Sequence, residues 1–164
     1  MKKNVPKKSR IKFPAYEPWI SNEDKKIVYE TLKQNMLTLG PKLEKFESDF
    51  CKYSKAKYAV AVSNCTAALH LSLMALGIGK GDEVIIPDLT FVADANAVLA
   101  CNAKPILTDI NKEDFFLSIS NIKKNITKKT KAIIPVHIYG QVCNIEEILD
   151  VAKDNNLKVI EDCA

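Results

Sequence analysis

The stretch Lys57-Tyr58-Ala59-Val60-Ala61-Val62-Ser63-Asn64-Cys65-Thr66-Ala67-Ala68-Leu69-His70-Leu71-Ser72-Leu73-Met74-Ala75-Leu76 changes its periodicity part-way along. Tyr58 to Val62 is short, apolar and carries β-branched residues, which predicts a strand covered on both faces. Leu69, Leu73 and Leu76 then recur at helical spacing, which predicts a helix after the polar break. Ser63, Asn64 and Thr66 fall at the junction. A helix start leaves its first backbone N–H groups without intrahelical partners and carries the positive end of the dipole. The turn is therefore a seat for a phosphate, with the Thr66 hydroxyl as an extra donor. The alternative is an ordinary N-cap, which the same residue types form.

The rest of the chain repeats that alternation. Ile11 to Ile20 contains Pro14 and Pro18 and reads as an extended lead-in segment. Ser21 with Asp24 resembles a capping box opening an amphipathic helix through about Lys33. Gly40-Pro41 is a turn, followed by Leu43, Phe46, Phe50 and Tyr53 at helical spacing, an aromatic row expected to be core. Further on, Val84-Ile85-Ile86, Pro105 to Ile110, Ala132 to Val136 and Leu157 to Ile160 read as strands. Segments 91–100, 119–126 and 145–155 between them read as helices. With Tyr58 to Val62 that makes about five strands alternating with helices, the signature of an α/β fold with a mostly parallel sheet, right-handed crossovers and helices on both faces.

Composition narrows the function classes. At 164 residues, 47% hydrophobic and 27% charged, the chain supports one core. It has no run of about twenty apolar residues, so no membrane span is expected. Met1 to Arg10 is basic and lacks the apolar centre of a signal peptide, which predicts a flexible tail over residues 1–12 and a cytoplasmic location. The net charge is +4 with Arg10 the only arginine; a nucleic-acid surface would want Arg and aromatics interleaved, so no nucleic-acid partner is expected. Five cysteines form no Cys-x-x-Cys pair and there are two histidines, poor material for a metal site.

Polar residues gather where open α/β sheets bind ligands, just past the carboxyl ends of strands: Thr66, Asp88, Thr90, His137 and Asp162. Neither Gly-x-Gly-x-x-Gly nor a Gly-Lys-Ser/Thr loop is present, so dinucleotide and nucleoside-triphosphate binding lose their specific signals.

Five blocks carry a resemblance. They are Gly40 to Glu47, Ser63 to Leu71, Gly81 to Ala93, Ala132 to Gln141 and Val159 to Ala164. In order and spacing the chain from Phe13 onward resembles the DegT/DnrJ/StrS family of pyridoxal 5'-phosphate (PLP) dependent sugar aminotransferases, within it the enzymes of perosamine-type 4-amino sugars. The resemblance implies a fold type I large domain over residues 13–164, of which this is the N-terminal part. It implies PLP as cofactor, a keto nucleotide sugar and glutamate as substrates, and a homodimer. It also implies roles. Cys65 and Thr66 match the phosphate-binding turn, in agreement with the helix-start argument. Phe91 matches the aromatic that stacks on the pyridine face, with core packing as the alternative. Asp162 matches the acid that pairs with the pyridine nitrogen, and His137 a position near the pocket that a satisfied core histidine would fill as well.

Two residues depart from the pattern: Cys65 stands where the family usually has Gly, and Asp94 where it usually has a small hydroxyl residue. The family's Schiff-base lysine lies downstream of the Glu161-Asp162-Cys163-Ala164 block, and no lysine here matches it. The chain is therefore expected to be inactive alone, with Tyr58 to Val62 short of sheet neighbours and its apolar face uncovered. The alternatives are a sugar dehydratase of the same family and a non-catalytic binding remnant.

Overall fold

Ser21 opens the first helix as the sequence predicts: its Oγ accepts the Asp24 N–H at 3.1 Å while the Asp24 carboxylate accepts the Ser21 N–H at 2.8 Å. The structure, a computed structural model, describes residues 17–164. The basic tail and most of the lead-in segment lie outside the described residues. The chain divides into two units, Met1–Ala61 and Val62–Ala164.

In the first unit, α1 (Asn22–Leu32) is followed by α2 (Pro41–Ser54), which has Gly40 as N-cap and Pro41 in its first turn. Lys55, in the left-handed region at φ 58°, ends α2. The aromatic row does not form a core. Phe46, Phe50 and Tyr53 are exposed, and neither helix holds a buried residue. Among the described residues of this unit, the apolar stripes of the two helices stay exposed, since a stripe is buried only where another layer packs on it. Tyr58 to Val62 differs from expectation too. It forms no strand, and Val60 is 79% exposed. A strand exists only through ladder bonds to a neighbour, and the Ala61 N–H goes instead to the Glu47 carboxylate at 2.8 Å.

The second unit is a four-stranded, all-parallel sheet in the order β2-β1-β3-β4, built from β1 (Glu83–Pro87), β2 (Lys104–Thr108), β3 (Thr130–Ile133) and β4 (Lys158–Val159). Ile85 sits in register between Ile106 and Ile133. Strand alternation sends neighbouring residues to opposite faces. Val84, Ile86, Ala132 and Ile134 pack with Leu69 and Leu73 of α3 (Cys65–Ala75) and Ala97 and Val98 of α4 (Ala93–Ala100). Ile85 and Ile133 pack with Ile122 of α5 (Ile119–Asn125) and with Ile148 and Val151 of α6 (Ile145–Asp154). Both faces are therefore covered, which is why these strands read as continuous apolar runs.

Gly77, at φ 73°, ends α3: its N–H bonds Met74 O and the Ile78 N–H bonds Leu73 O, a closure that needs the left-handed conformation. Strand ends shift slightly from expectation. Ile110 leaves β2 to bridge Leu117, and Val136 bridges Asp162 beyond β3. The crossover through α4 places β2 on one side of β1, while that through α5 places β3 on the other. The carboxyl ends of β1 and β3 thus flank the point where the strand order reverses, the position at which such sheets bind ligands.

Candidate active site

Asn64 fixes the start of α3. Its side-chain oxygen accepts the Ala67 N–H at 2.9 Å and its carbonyl the Ala68 N–H at 3.1 Å. This leaves the N–H groups of Cys65 and Thr66, the first two helical residues, without an intrahelical acceptor. The Thr66 side chain is exposed beside them. Cys65 is not among the residues with positive φ, so the glycine expected at this position is not required by the backbone.

Asp162 is buried, and its backbone is held on both sides: its N–H bonds Pro135 O at 2.9 Å and its carbonyl accepts the His137 N–H at 3.0 Å. Two donors meet its carboxylate, the Cys65 thiol at 3.3 Å and the Ala164 N–H at 3.0 Å, and both reach Oδ1. Among the described residues none reaches Oδ2. Although Cys65 as a residue is exposed, its thiol engages this buried acid. Loss of water around the thiol, then the bond to Asp162 and the charges of Asp162 and Asp94, push it up to about 11, so at neutral pH it is a protonated donor.

Asp94, in the first turn of α4, is fully buried. Its Oδ2 accepts the Thr90 hydroxyl at 2.6 Å, whereas Oδ1 has no partner. Burial, and next among the raising influences the Asp162 charge, push its carboxyl up to about 6, against the lowering effect of the Thr90 bond. Phe91, on the turn between β1 and α4, is 75% exposed, which sets aside core packing as its role. His137 is engaged at both nitrogens: Nε2 lies 2.9 Å from a Glu161 carboxylate oxygen, and Nδ1 accepts the Cys143 N–H at 3.2 Å. The structure thus joins Cys65, Asp162 and, through its charge, Asp94. It links His137 to Asp162 by backbone rather than by side chain, and leaves Asp88 exposed with its N–H on Thr108 O. The sequence reading missed the partner role of Glu161 and the meeting of Cys65 with Asp162, which no local spacing encodes.

The sequence profile of the DegT/DnrJ/EryC1/StrS aminotransferase family matches residues 18–164. The chain belongs to this family. Among its relatives, GDP-perosamine synthase of Escherichia coli O157:H7 is 46% identical over 152 residues, which is 92% of this chain and 42% of the relative. The GDP-perosamine synthase of Vibrio cholerae is 41% identical over 92% of this chain and 41% of its own length. The putative sugar aminotransferase Spr1654 of Streptococcus pneumoniae, solved in a PLP form, superposes with TM-score 0.87 at 30% identity over 93% of this chain and 43% of that one. The chain spans about two fifths of the length of these relatives. Within the DegT family, then, it is an α/β portion whose parallel sheet matches the aminotransferase fold.

The residues present fit a phosphorylated pyridine. Unpartnered N–H groups and a hydroxyl at a helix start suit a phosphate. An open aromatic face suits a flat ring, and a buried carboxylate with one oxygen that meets no donor among the described residues suits a protonated ring nitrogen.

Proposed function

We propose that this chain is the cofactor-cradling part of a PLP-dependent aminotransferase that moves an amino group from glutamate to a keto nucleotide sugar, giving a 4-amino sugar of the perosamine type for polysaccharide biosynthesis. The observation that carries the reading is the meeting of the α3 start with a buried Asp162 whose Oδ2 meets no donor among the described residues. PLP, when bound, supplies an electron sink for the substrate carbon that gains or loses the amino group. The protein's part is to hold and polarise it. The N–H groups of Cys65 and Thr66 and the Thr66 hydroxyl would bind the phosphate, and Phe91 would cover one ring face. Asp162, buried and acceptor-only when ionised, would keep the ring nitrogen protonated, because an opposite charge at close range favours the charged form of both partners. His137, with both of its nitrogens taken, would brace the loop after β3. Homodimeric assembly and a cytoplasmic location belong to the same reading, checked by sedimentation and by fractionation.

The test is to place residues 18–164 in the E. coli relative in exchange for its matched segment and to follow 15N from glutamate into a keto nucleotide sugar by mass spectrometry. Transfer is expected, and Asp162→Ala should abolish it. A folded, PLP-binding chimera that transfers no nitrogen, or transfers it as well with Asp162→Ala, would overturn the reading.

A further inference from the structure

Position 65 offers two donors in different directions. Its N–H belongs to the open first turn of α3, whereas its S–H runs to Oδ1 of Asp162 at 3.3 Å. We propose that Cys65 is a positioning residue: its thiol pins Oδ1 of Asp162 so that Oδ2 is the oxygen presented to the ring nitrogen of a bound pyridine cofactor. The inference rests on the PLP reading above and assigns a role to the one residue of the phosphate turn that departs from the family's usual Gly.

Geometry carries the argument. The backbone of Asp162 is clamped by Pro135 O and the His137 N–H, so rotation about the side-chain bonds is the freedom left to the carboxylate. The Ala164 N–H at 3.0 Å reaches the same oxygen as the thiol, and two donors on one oxygen set the rotation where one alone would leave a hinge. A thiol is a weak donor, but this one keeps its proton at neutral pH and faces an acid that is only 5% exposed, where water competes poorly. The helical backbone at Cys65 has no positive φ, so the position tolerates a side chain. One residue thus ties the phosphate end of the site to its ring end.

The experiment titrates pyridoxamine 5'-phosphate, which has no aldehyde to react with surface lysines, and separately inorganic phosphate, into the protein and its Cys65→Ala, Cys65→Ser and Asp162→Asn variants. Cys65→Ala should weaken pyridoxamine 5'-phosphate about threefold to tenfold, the size of one modest hydrogen bond, and leave inorganic phosphate within about twofold. Cys65→Ser, which keeps a donor, should restore binding to within about twofold. In the Asp162→Asn background, Cys65→Ala should add little, since the carboxylate it orients is gone. The contact itself is read without any cofactor: the pH midpoint of Cys65 alkylation, followed by peptide mass spectrometry, should fall in Asp162→Asn. An unmoved midpoint overturns the inference. So does a Cys65→Ala loss that is equal for phosphate and pyridoxamine 5'-phosphate, or one that Ser does not restore. Failure of the unsubstituted protein to bind pyridoxamine 5'-phosphate overturns the proposed function itself. Binding that Cys65→Ala leaves unchanged overturns this inference alone.

Discussion

His137 and Glu161 lock together the two chain segments that carry the candidate acid: Nε2 of the ring stands 2.9 Å from the Glu161 carboxylate while Nδ1 accepts the Cys143 N–H at 3.2 Å. An acceptor at Nδ1 places the proton of the neutral ring on Nε2, where it donates to Glu161. Cys143 is 4% exposed, so His137→Ala would leave its N–H buried without a partner. The expected loss is about 1–3 kcal/mol, read from the midpoint of urea unfolding. A variant as stable as the parent would show that the loop after β3 does not depend on this ring.

The start of α3 makes two separable predictions. Asn64→Ala removes the acceptor of the Ala67 N–H and should cost about 1 kcal/mol of stability through the lost cap. Thr66→Ala removes an exposed hydroxyl that caps nothing within the helix, so stability should stay within about 0.5 kcal/mol. Its affinity for pyridoxamine 5'-phosphate should fall by about 1–2 kcal/mol, the value of a charge-assisted hydrogen bond. Calorimetric titration beside thermal unfolding distinguishes the two residues; an unchanged affinity in Thr66→Ala would remove Thr66 from the phosphate seat.

Which features were legible in the sequence follows from how local their causes are. Ser21 and Asp24 are three residues apart, and the pair alone creates the capping box. Val84 to Ile86 and Ala132 to Ile134 read as doubly covered strands because both of their faces are covered. Tyr58 to Val62 has the same apolar character and forms no strand, since a ladder needs a neighbour that periodicity cannot supply. Phe46 and Phe50 have the spacing of a buried stripe, yet spacing specifies a face and not what covers it. The positions of His137 and Asp162 past strand ends were visible as a pattern, whereas Thr66 stands at the start of α3 after a segment that forms no strand. The bond between Cys65 and Asp162, 97 residues apart, was not visible, because only the fold of the sheet brings the α3 start to the segment after β4.

Ile133 and Ile134 test the two-faced core. Both are fully buried, but Ile133 faces α5 and α6, and Ile134 faces α3 and α4. Ile133→Val and Ile134→Val should each cost about 0.5–1.5 kcal/mol. Although adjacent in the chain, they share no cavity, so the double variant should equal the sum to within about 0.5 kcal/mol. A larger deviation in urea unfolding would mean that the two faces communicate through the strand.

Asp94 should impose a measurable pH dependence on stability. Its carboxyl rises from an ordinary 3.8 to about 6 in the folded protein, first because burial disfavours the charge and then because Asp162 stands near, with the Thr90 bond opposing. Between those two values the folded state holds a proton that the unfolded chain has released. Protons bound in the native state exceed those in the unfolded state, so stability falls as pH rises from about 4 through about 6 and levels off above. Asn cannot ionise, and its oxygen can still accept the Thr90 hydroxyl, so Asp94→Asn should abolish this contribution. Its amide must find an acceptor in the buried site, which lowers absolute stability by a constant amount; the informative quantity is therefore the difference between variant and parent as a function of pH. That difference should move in favour of the variant by about 1–3 kcal/mol across the window. Other carboxylates titrate in both proteins and cancel. Urea unfolding at intervals from pH 4 to about 7 makes the measurement, and a difference that stays flat would place Asp94 at an ordinary carboxylate value despite its unpartnered Oδ1.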